Sequence, residues 1–352
     1  MQTEFFRQRH LTQPVQQLRP ASVEELTETI SALEADGRTW RLIGDGQHAT
    51  DLPGGDYTAV RTDELDAILD VDATSGTVQV EAGIRWSELA AALGEEGFSL
   101  QRYGLHPASA TVGGLLARHR PAPTLLRGGD LLDGCIAVGA FHPESGDYRY
   151  ITAPRKASGP DLRHLFVGAG HSDGVIVDAT LVVWRPTNAR LIRYDDVSPA
   201  DAAGAVETMF AASITPAWVH YGWKSRTLQF EIAAPGQLLR ARVEWLKNRL
   251  GAPDDIGDRE DARTRKQWLQ ARHPHRRSHP DADKMRIFWV ALSALGDDPT
   301  ELFGDGVEDV EIPMFTPRRA TAFVTYKQPE MVDERADAVP QEALWATHQL
   351  TN

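Results

Sequence analysis

Three glycine-rich turns, far apart in the chain, hold the residues best suited to chemistry. They are Gly44-Asp45-Gly46-Gln47-His48, Thr111-Val112-Gly113-Gly114, and the stretch from Gly168 to Gly174-Val175-Ile176. Glycine lets backbone N–H groups approach a phosphate or a flat ring without a Cβ in the way. Each turn lies beside an apolar run that reads as a strand. Taken singly, each reads equally well as a tight turn; the set points to one extended, phosphate-bearing cofactor.

Other reactive residues have plainer readings. His273-Pro274-His275-Arg276-Arg277-Ser278-His279 resembles a metal cluster in composition, but its proline and crowding fit a solvated loop, and no metal site is assigned. Trp218, His220, Tyr221 and Trp223 are candidates for a substrate pocket. Strand alternation puts Trp218 and His220 on one face and Tyr221 and Trp223 on the other, so half of them are expected in the core. No catalytic base follows from this. The single Cys135, inside an apolar run, reads as a small buried hydrophobe, and it excludes an internal disulfide or a four-cysteine cluster.

The elements that must position the turns are legible in the first half. Ser22-Val23-Glu24-Glu25 is a capping box, followed by Leu26, Ile30 and Leu33 at helical spacing and a stop at Gly37. Trp40–Ile43 is a short strand running into the first turn. Val78, Val80 and Ala82 alternate as a strand does, and Trp86, Leu89 and Leu93 return to helical spacing. Further strands are expected from Ile136 to Phe141 and from Val175 to Trp184. Gly44-x-Gly46-x-x-Ala49 matches the dinucleotide fingerprint literally. That motif requires a helix at once, and Asp51-Leu52-Pro53-Gly54-Gly55 cannot form one, so the Rossmann reading fails.

The second half begins as strand–helix–strand–strand–helix: Arg190–Tyr194, Ala200–Ala212, Trp218–Tyr221, Leu228–Glu231, then an apolar stripe of Leu238, Leu239, Val243, Leu246 and Leu250. This is the split βαβ pattern. It suits a cap over the cofactor or a small domain that only mediates contacts. Residues 254–258 read as a loop and residues 327–352 as an acidic tail.

Composition bounds the function. The 352 residues suffice for one large or two medium domains, with 41% hydrophobic and 25% charged residues. A net charge of −13 argues against a nucleic-acid or acidic-membrane partner, and it requires an anionic cofactor to be held by local donors. No run has signal-peptide or membrane-spanning character, so the expectation is a soluble cytoplasmic protein.

The turns and the segments between them resemble the FAD-binding domain of the vanillyl-alcohol oxidase and p-cresol methylhydroxylase (PCMH-type) superfamily. The likeness covers roughly residues 15–186. It rests on Pro20–Leu26, Gly44–His48, Val80–Leu89, Thr111–Gly114, Gly129–Asp133 and Gly159–Gly168, in that order. Within the superfamily the chain is most similar to the small FAD-binding subunit of bacterial glycolate oxidase.

The resemblance implies an α+β fold: a PCMH-type domain of two α/β subdomains over 1–187, a smaller cap-like domain over 188–326, and the tail. It implies FAD held by Gly44, Asp45, Gly46, Gln47, His48, Pro107, Thr111, Val112, Gly113, Gly114, Gly174, Val175 and Ile176. It implies oxidation of a small 2-hydroxy acid, with electrons passed to an iron–sulfur or second flavoprotein subunit. The family places its covalent histidine at the position of Gln47, so non-covalent FAD is expected, with His48 the alternative. Arg118-His119-Arg120-Pro121 and Asp173 also depart from the family pattern. They keep open a second reading, a degenerate flavin fold serving as a non-catalytic subunit or scaffold.

Overall fold

The computed structural model describes residues 14–46, 56–100, 103, 106, 108–118, 131–143, 148–152, 161–168, 174–258, 285–291, 296–303, 305, 307–315, 319–327 and 344–348. These divide into two compact units, with the change between Pro186 and Thr187.

The first unit opens on β1 (Gln16–Leu18) and α1 (Val23–Ala35). Ser22 caps α1, its Oγ accepting the Glu25 N–H at 3.1 Å, while Glu25 Oε2 accepts the Ala21 N–H at 2.8 Å. Free amides at the helix start are thereby satisfied, as the capping box requires. Leu26, Ile30 and Leu33 are buried on one face. They pack against β2 (Trp40–Ile43) and β3 (Thr58–Arg61), which form with β1 a parallel sheet ordered β1-β3-β2.

A second, antiparallel sheet of the same unit runs β4-β5-β8-β6-β7. Its strands are β4 (Ile68–Asp72), β5 (Thr77–Glu81), β6 (Cys135–Phe141), β7 (Tyr148–Thr152) and β8 (Val175–Val182). The near-continuous apolar run of β8 has a physical reason, since both of its faces are covered. Val175 and Val177 join the cluster around α1, and Ile176, Ala179 and Leu181 join a second cluster. That second cluster includes residues of α2 (Trp86–Glu95), α3 (Val112–Arg118) and α4 (Leu131–Gly134).

The second unit is one eight-stranded antiparallel sheet, ordered β12-β9-β11-β10-β14-β15-β13-β16. The strands are β9 (Asn188–Tyr194), β10 (Trp218–Gly222), β11 (Thr227–Ala234), β12 (Asp255–Gly257), β13 (Met285–Ala291), β14 (Val307–Phe315), β15 (Arg319–Tyr326) and β16 (Leu344–His348). Both β9 and β10 run antiparallel to β11, which lies between them, so they are parallel to each other and joined through α5 (Pro199–Ala211). That is the split βαβ arrangement. The second helix, α6 (Gly236–Leu250), buries Leu239, Val243 and Leu246, whereas Leu238 is half exposed and lies off the stripe.

Two expectations are corrected here. Asp255–Gly257 is a short edge strand pairing with β9, not a loop. Residues 344–348, assigned to a tail, form β16 at the opposite edge, pairing with β13. The sheet therefore extends well beyond its split βαβ core, through strands drawn from residues 285–348. Among the described residues, no helix is long and apolar enough to cross a membrane.

Candidate functional site

The first turn leaves β2 at Ile43 and meets the second at once. A Cβ placed on Gly44 would overlap the Thr111 hydroxyl, so glycine at 44 lets the two segments touch. Thr111 is buried, and its Oγ1 accepts the Gly114 N–H at 3.2 Å, capping α3. Gly113 lies over Ala82, where a Cβ would come within 2.7 Å of the alanine methyl. The Gly113 N–H donates to Ala82 O at 2.7 Å, and the Ala82 N–H to Val177 O at 2.8 Å. A continuous path thus runs from Gly44 through Thr111 and Gly113 to the middle of β8.

In the second turn, three of the four amides are committed inside the protein: Val112 N–H to Ile84 O at 3.0 Å, Gly113 to Ala82, and Gly114 to Thr111; the next amide, Leu115 N–H, donates to Thr111 O at 2.9 Å. Thr111–Gly114 is therefore a rigid support against which the first turn rests. Val80–Trp86, where the sequence shows a strand giving way to a helix, is what makes that support rigid. A Cβ on Gly83 would overlap the Thr62 carbonyl oxygen, and the Gly83 N–H donates to Leu65 O at 2.8 Å.

In the first turn, Gly46 is buried with φ +81°, and no described residue accepts its N–H. A buried backbone donor requires an acceptor. A phosphate oxygen meets that need, and the left-handed φ is one that glycine adopts freely. Gln47, His48 and Pro107 lie outside the described residues, as do His171 to Asp173, so the His48 alternative lies there too.

Of the third turn, Gly174, Val175 and Ile176 are described residues packed into the protein. Gly174 fits between the Phe166 ring and the Phe141 carbonyl, 2.5 Å and 3.0 Å from where a Cβ would stand. Val175 and Ile176 are buried core residues on β8. Their side chains face the two clusters and leave only backbone for any ligand. The segment before this turn is anchored by Arg163, a residue the sequence reading passed over. It is buried, grips Asp161, and donates to the carbonyls of Leu132, at 3.3 Å, and Cys135. The Arg163 hydrogen bonds hold the Asp161 carboxyl down at about 2. Burial pushes the Cys135 thiol up to about 12, which leaves it an inert hydrophobe rather than a nucleophile.

In the second unit, alternation divides Trp218 and His220 from Tyr221 and Trp223 as expected, but all four are buried rather than half of them. Tyr221 and Trp223 join the apolar cluster with α5 and α6, and their polar tips donate to the Val197 and Asp297 carbonyls. Trp218 and His220 lie on the other face and are also buried. Cross-strand register sets Trp218 opposite Glu231 and His220 opposite Gln229. Trp218 Nε1 donates to Glu231 Oε2 at 2.7 Å. Gln229 is 8% exposed, and its Oε1 is buried without a hydrogen-bond partner among the described residues. Gln229 and Glu231 escaped the sequence reading because they become neighbours of Trp218 and His220 only through strand pairing. Among the described residues no cluster of His, Cys, Asp and Glu is arranged to hold a metal, and residues 273–279 lie outside them.

A parallel three-stranded unit, an antiparallel five-stranded sheet and a glycine turn seated on Thr111 define a flavin-binding fold. Residues 14–148 match a family model described as an FAD binding domain. The chain is 36% identical over 86 residues to L-galactono-1,4-lactone dehydrogenase 2, mitochondrial, of Oryza sativa subsp. japonica, covering 24% of this chain and 15% of that protein. It is 35% identical over 95 residues to the alditol oxidase of a Streptomyces species, covering 27% of this chain and 23% of that one. The matched stretches thus span less than a quarter of these relatives' length.

Over 93% of the chain the structure superposes on an alkyldihydroxyacetonephosphate synthase, with a TM-score of 0.70, 15% identity and 74% of that chain covered. Residues 14–148 are thus similar to an FAD binding domain, the overall fold is that of the synthase, and FAD is the cofactor such a domain takes. The residues fit that group: the first turn offers the buried Gly46 N–H, and Thr111–Gly114 holds the turn in place.

Proposed function

We propose that this chain is an FAD-dependent oxidoreductase, or the FAD-carrying subunit of one, oxidising a hydroxyl-bearing carbon of a small polar molecule. The single observation that carries the reading is the Gly44–Gly46 turn, packed on Thr111 and presenting the N–H of buried Gly46 without an acceptor among the described residues. The bound flavin supplies a two-electron acceptor for the substrate hydride. The protein's own part is positional. The first unit holds the diphosphate by backbone, and the second, as a cap or substrate domain, offers hydrogen bonds from the face bearing His220, Gln229 and Glu231. Gln229 Oε1 is an acceptor for a substrate hydroxyl, and Glu231 is oriented by Trp218.

The resemblance implies a 2-hydroxy acid as substrate, whereas the names of the relatives point to an alditol or a sugar lactone. All three share a carbinol C–H flanked by further oxygens, and a face of buried polar side chains suits that chemistry. Electrons then leave for an acceptor, an iron–sulfur or second flavoprotein subunit in this reading.

Purified protein should show flavin absorbance, and acid precipitation should leave the colour in the supernatant, as non-covalent binding requires. Anaerobic addition of 2-hydroxy acids, alditols and sugar lactones in turn should bleach the flavin with one class. Bound flavin that stays oxidised with all three would overturn the proposed activity and favour the scaffold reading.

A further inference from the structure

We propose that Arg61 is a positioning residue for the cofactor-binding turn, fixing its direction by gripping the Gly44 carbonyl; this rests on FAD binding at that turn. Arg61 ends β3 in register with Ile43, the last residue of β2. The strands are parallel, so both chains leave the sheet on the same side, and the Thr62 N–H extends the pairing to Ile43 O at 3.2 Å. Arg61 Nη2 donates to Gly44 O at 3.1 Å. The rest of the fork is taken by Asp63: Nε to Oδ1 at 3.0 Å and Nη2 to Oδ2 at 3.1 Å. Both side chains are nearly buried, at 11% and 12% exposure. Arg19 approaches the same carboxylate at 3.2 Å and Glu64 at 3.6 Å.

Two features separate this from an ordinary surface ion pair. First, the four charges Arg19, Arg61, Asp63 and Glu64 sum to zero, so the cluster adds no net attraction for an anion. What it supplies is direction. The peptide group is planar and trans, so its C=O and N–H point opposite ways. With the Gly44 carbonyl held by Arg61, the Asp45 N–H is turned away from the guanidinium. Second, the other side of Gly44 rests on the Thr111 hydroxyl. The Gly44–Asp45 peptide is thus held from two directions, and it leads directly into Gly46. Burial alone would raise the Asp63 carboxyl, yet Arg61 and Arg19 together keep it below its ordinary value, so the fork stays charged on both sides.

A planar fork that binds a carboxylate and a carbonyl together is something lysine cannot reproduce. The test is titration of apo-protein with FAD for wild type, Arg61→Lys, Arg61→Ala and Asp63→Asn, with the melting temperatures of each apo-protein and of its FAD complex alongside. Arg61→Lys and Arg61→Ala should each raise the FAD Kd by about tenfold, the loss of one charge-assisted hydrogen bond. Asp63→Asn, which loosens the fork but leaves the cation, should raise it by about threefold. Wild-type affinity in Arg61→Lys would show that charge alone suffices and overturns the proposal. So would apo-protein and FAD complex melting points that fall equally in every variant. If Arg61→Ala does not fold, the other two variants carry the test. A wild-type protein that takes up no FAD would instead strike at the cofactor reading.

Discussion

In the proposed reading, the two units approach binding in opposite ways. The first builds its site from backbone: Gly44, Thr111, Gly113 and Gly83 matter for the atoms they lack or the carbonyls they touch. The second lays out side chains, Trp218, His220, Gln229 and Glu231, on one face of a sheet whose other face is apolar. A diphosphate is the same in every FAD enzyme, so backbone donors and close approach suffice. A substrate varies, and side chains can change without disturbing the ladder that carries them.

If that contrast is right, the largest effect should come from the backbone side. Gly83→Ala drives a methyl into the Thr62 carbonyl and within 2.7 Å of the Leu65 carbonyl. It should destabilise the first unit by about 4 kcal/mol, measured by denaturant unfolding. A loss as small as that of a surface substitution would break the comparison.

Next is Asp161→Asn, which leaves buried Arg163 without its carboxylate and should cost about 3 kcal/mol. The pH dependence follows from the same pair. The Asp161 carboxyl lies at about 2 against an ordinary 3.8, so its stabilisation is complete above that ordinary value and is lost as pH falls towards 2. Acid unfolding of the variant should lack that contribution.

The second unit should respond in activity rather than stability. Gln229→Met removes a buried acceptor that lacks a partner among the described residues, at similar volume, so unfolding free energy should change by about 1 kcal/mol or less, while KM rises by about tenfold. A large stability loss with unchanged KM would make this face ordinary core.

The smallest effect concerns Cys135. Native protein should resist thiol labelling at mildly alkaline pH, and unfolding should release one reactive thiol. Because burial raises the folded thiol from 9.0 to about 12, its contribution is intact below the lower value and fades as pH climbs between them.

Much of the first unit was legible because its signals are local. Ser22 and Glu25, three residues apart, mark a helix start, and Trp40–Ile43 running into glycine marks a strand and turn; neither needs a distant partner. The C-terminal half of the second sheet was not legible. The Val307–Phe315 run carries Glu308, Asp309 and Glu311, and its strand character comes from pairing with β10 and β15. The short β12 is likewise a strand only because β9 offers it an edge. In the site, Gly44 to Gly46 and Thr111 to Gly114 stood out as glycine clusters, whereas Arg61 gave no signal. An arginine at a strand end is common, and its role appears only when β2 is laid beside β3.

By itself the sequence determined the elements of the first unit and the glycine turns, which rest on short-range chemistry, and through the family resemblance of their order it implied FAD. Only the tertiary structure decided what each turn does: which amides are already engaged, which glycine receives a threonine, which carbonyl an arginine holds. It also decided that His220 faces Gln229. Those facts depend on strand register, and register is set by the packing of whole faces rather than by any residue alone.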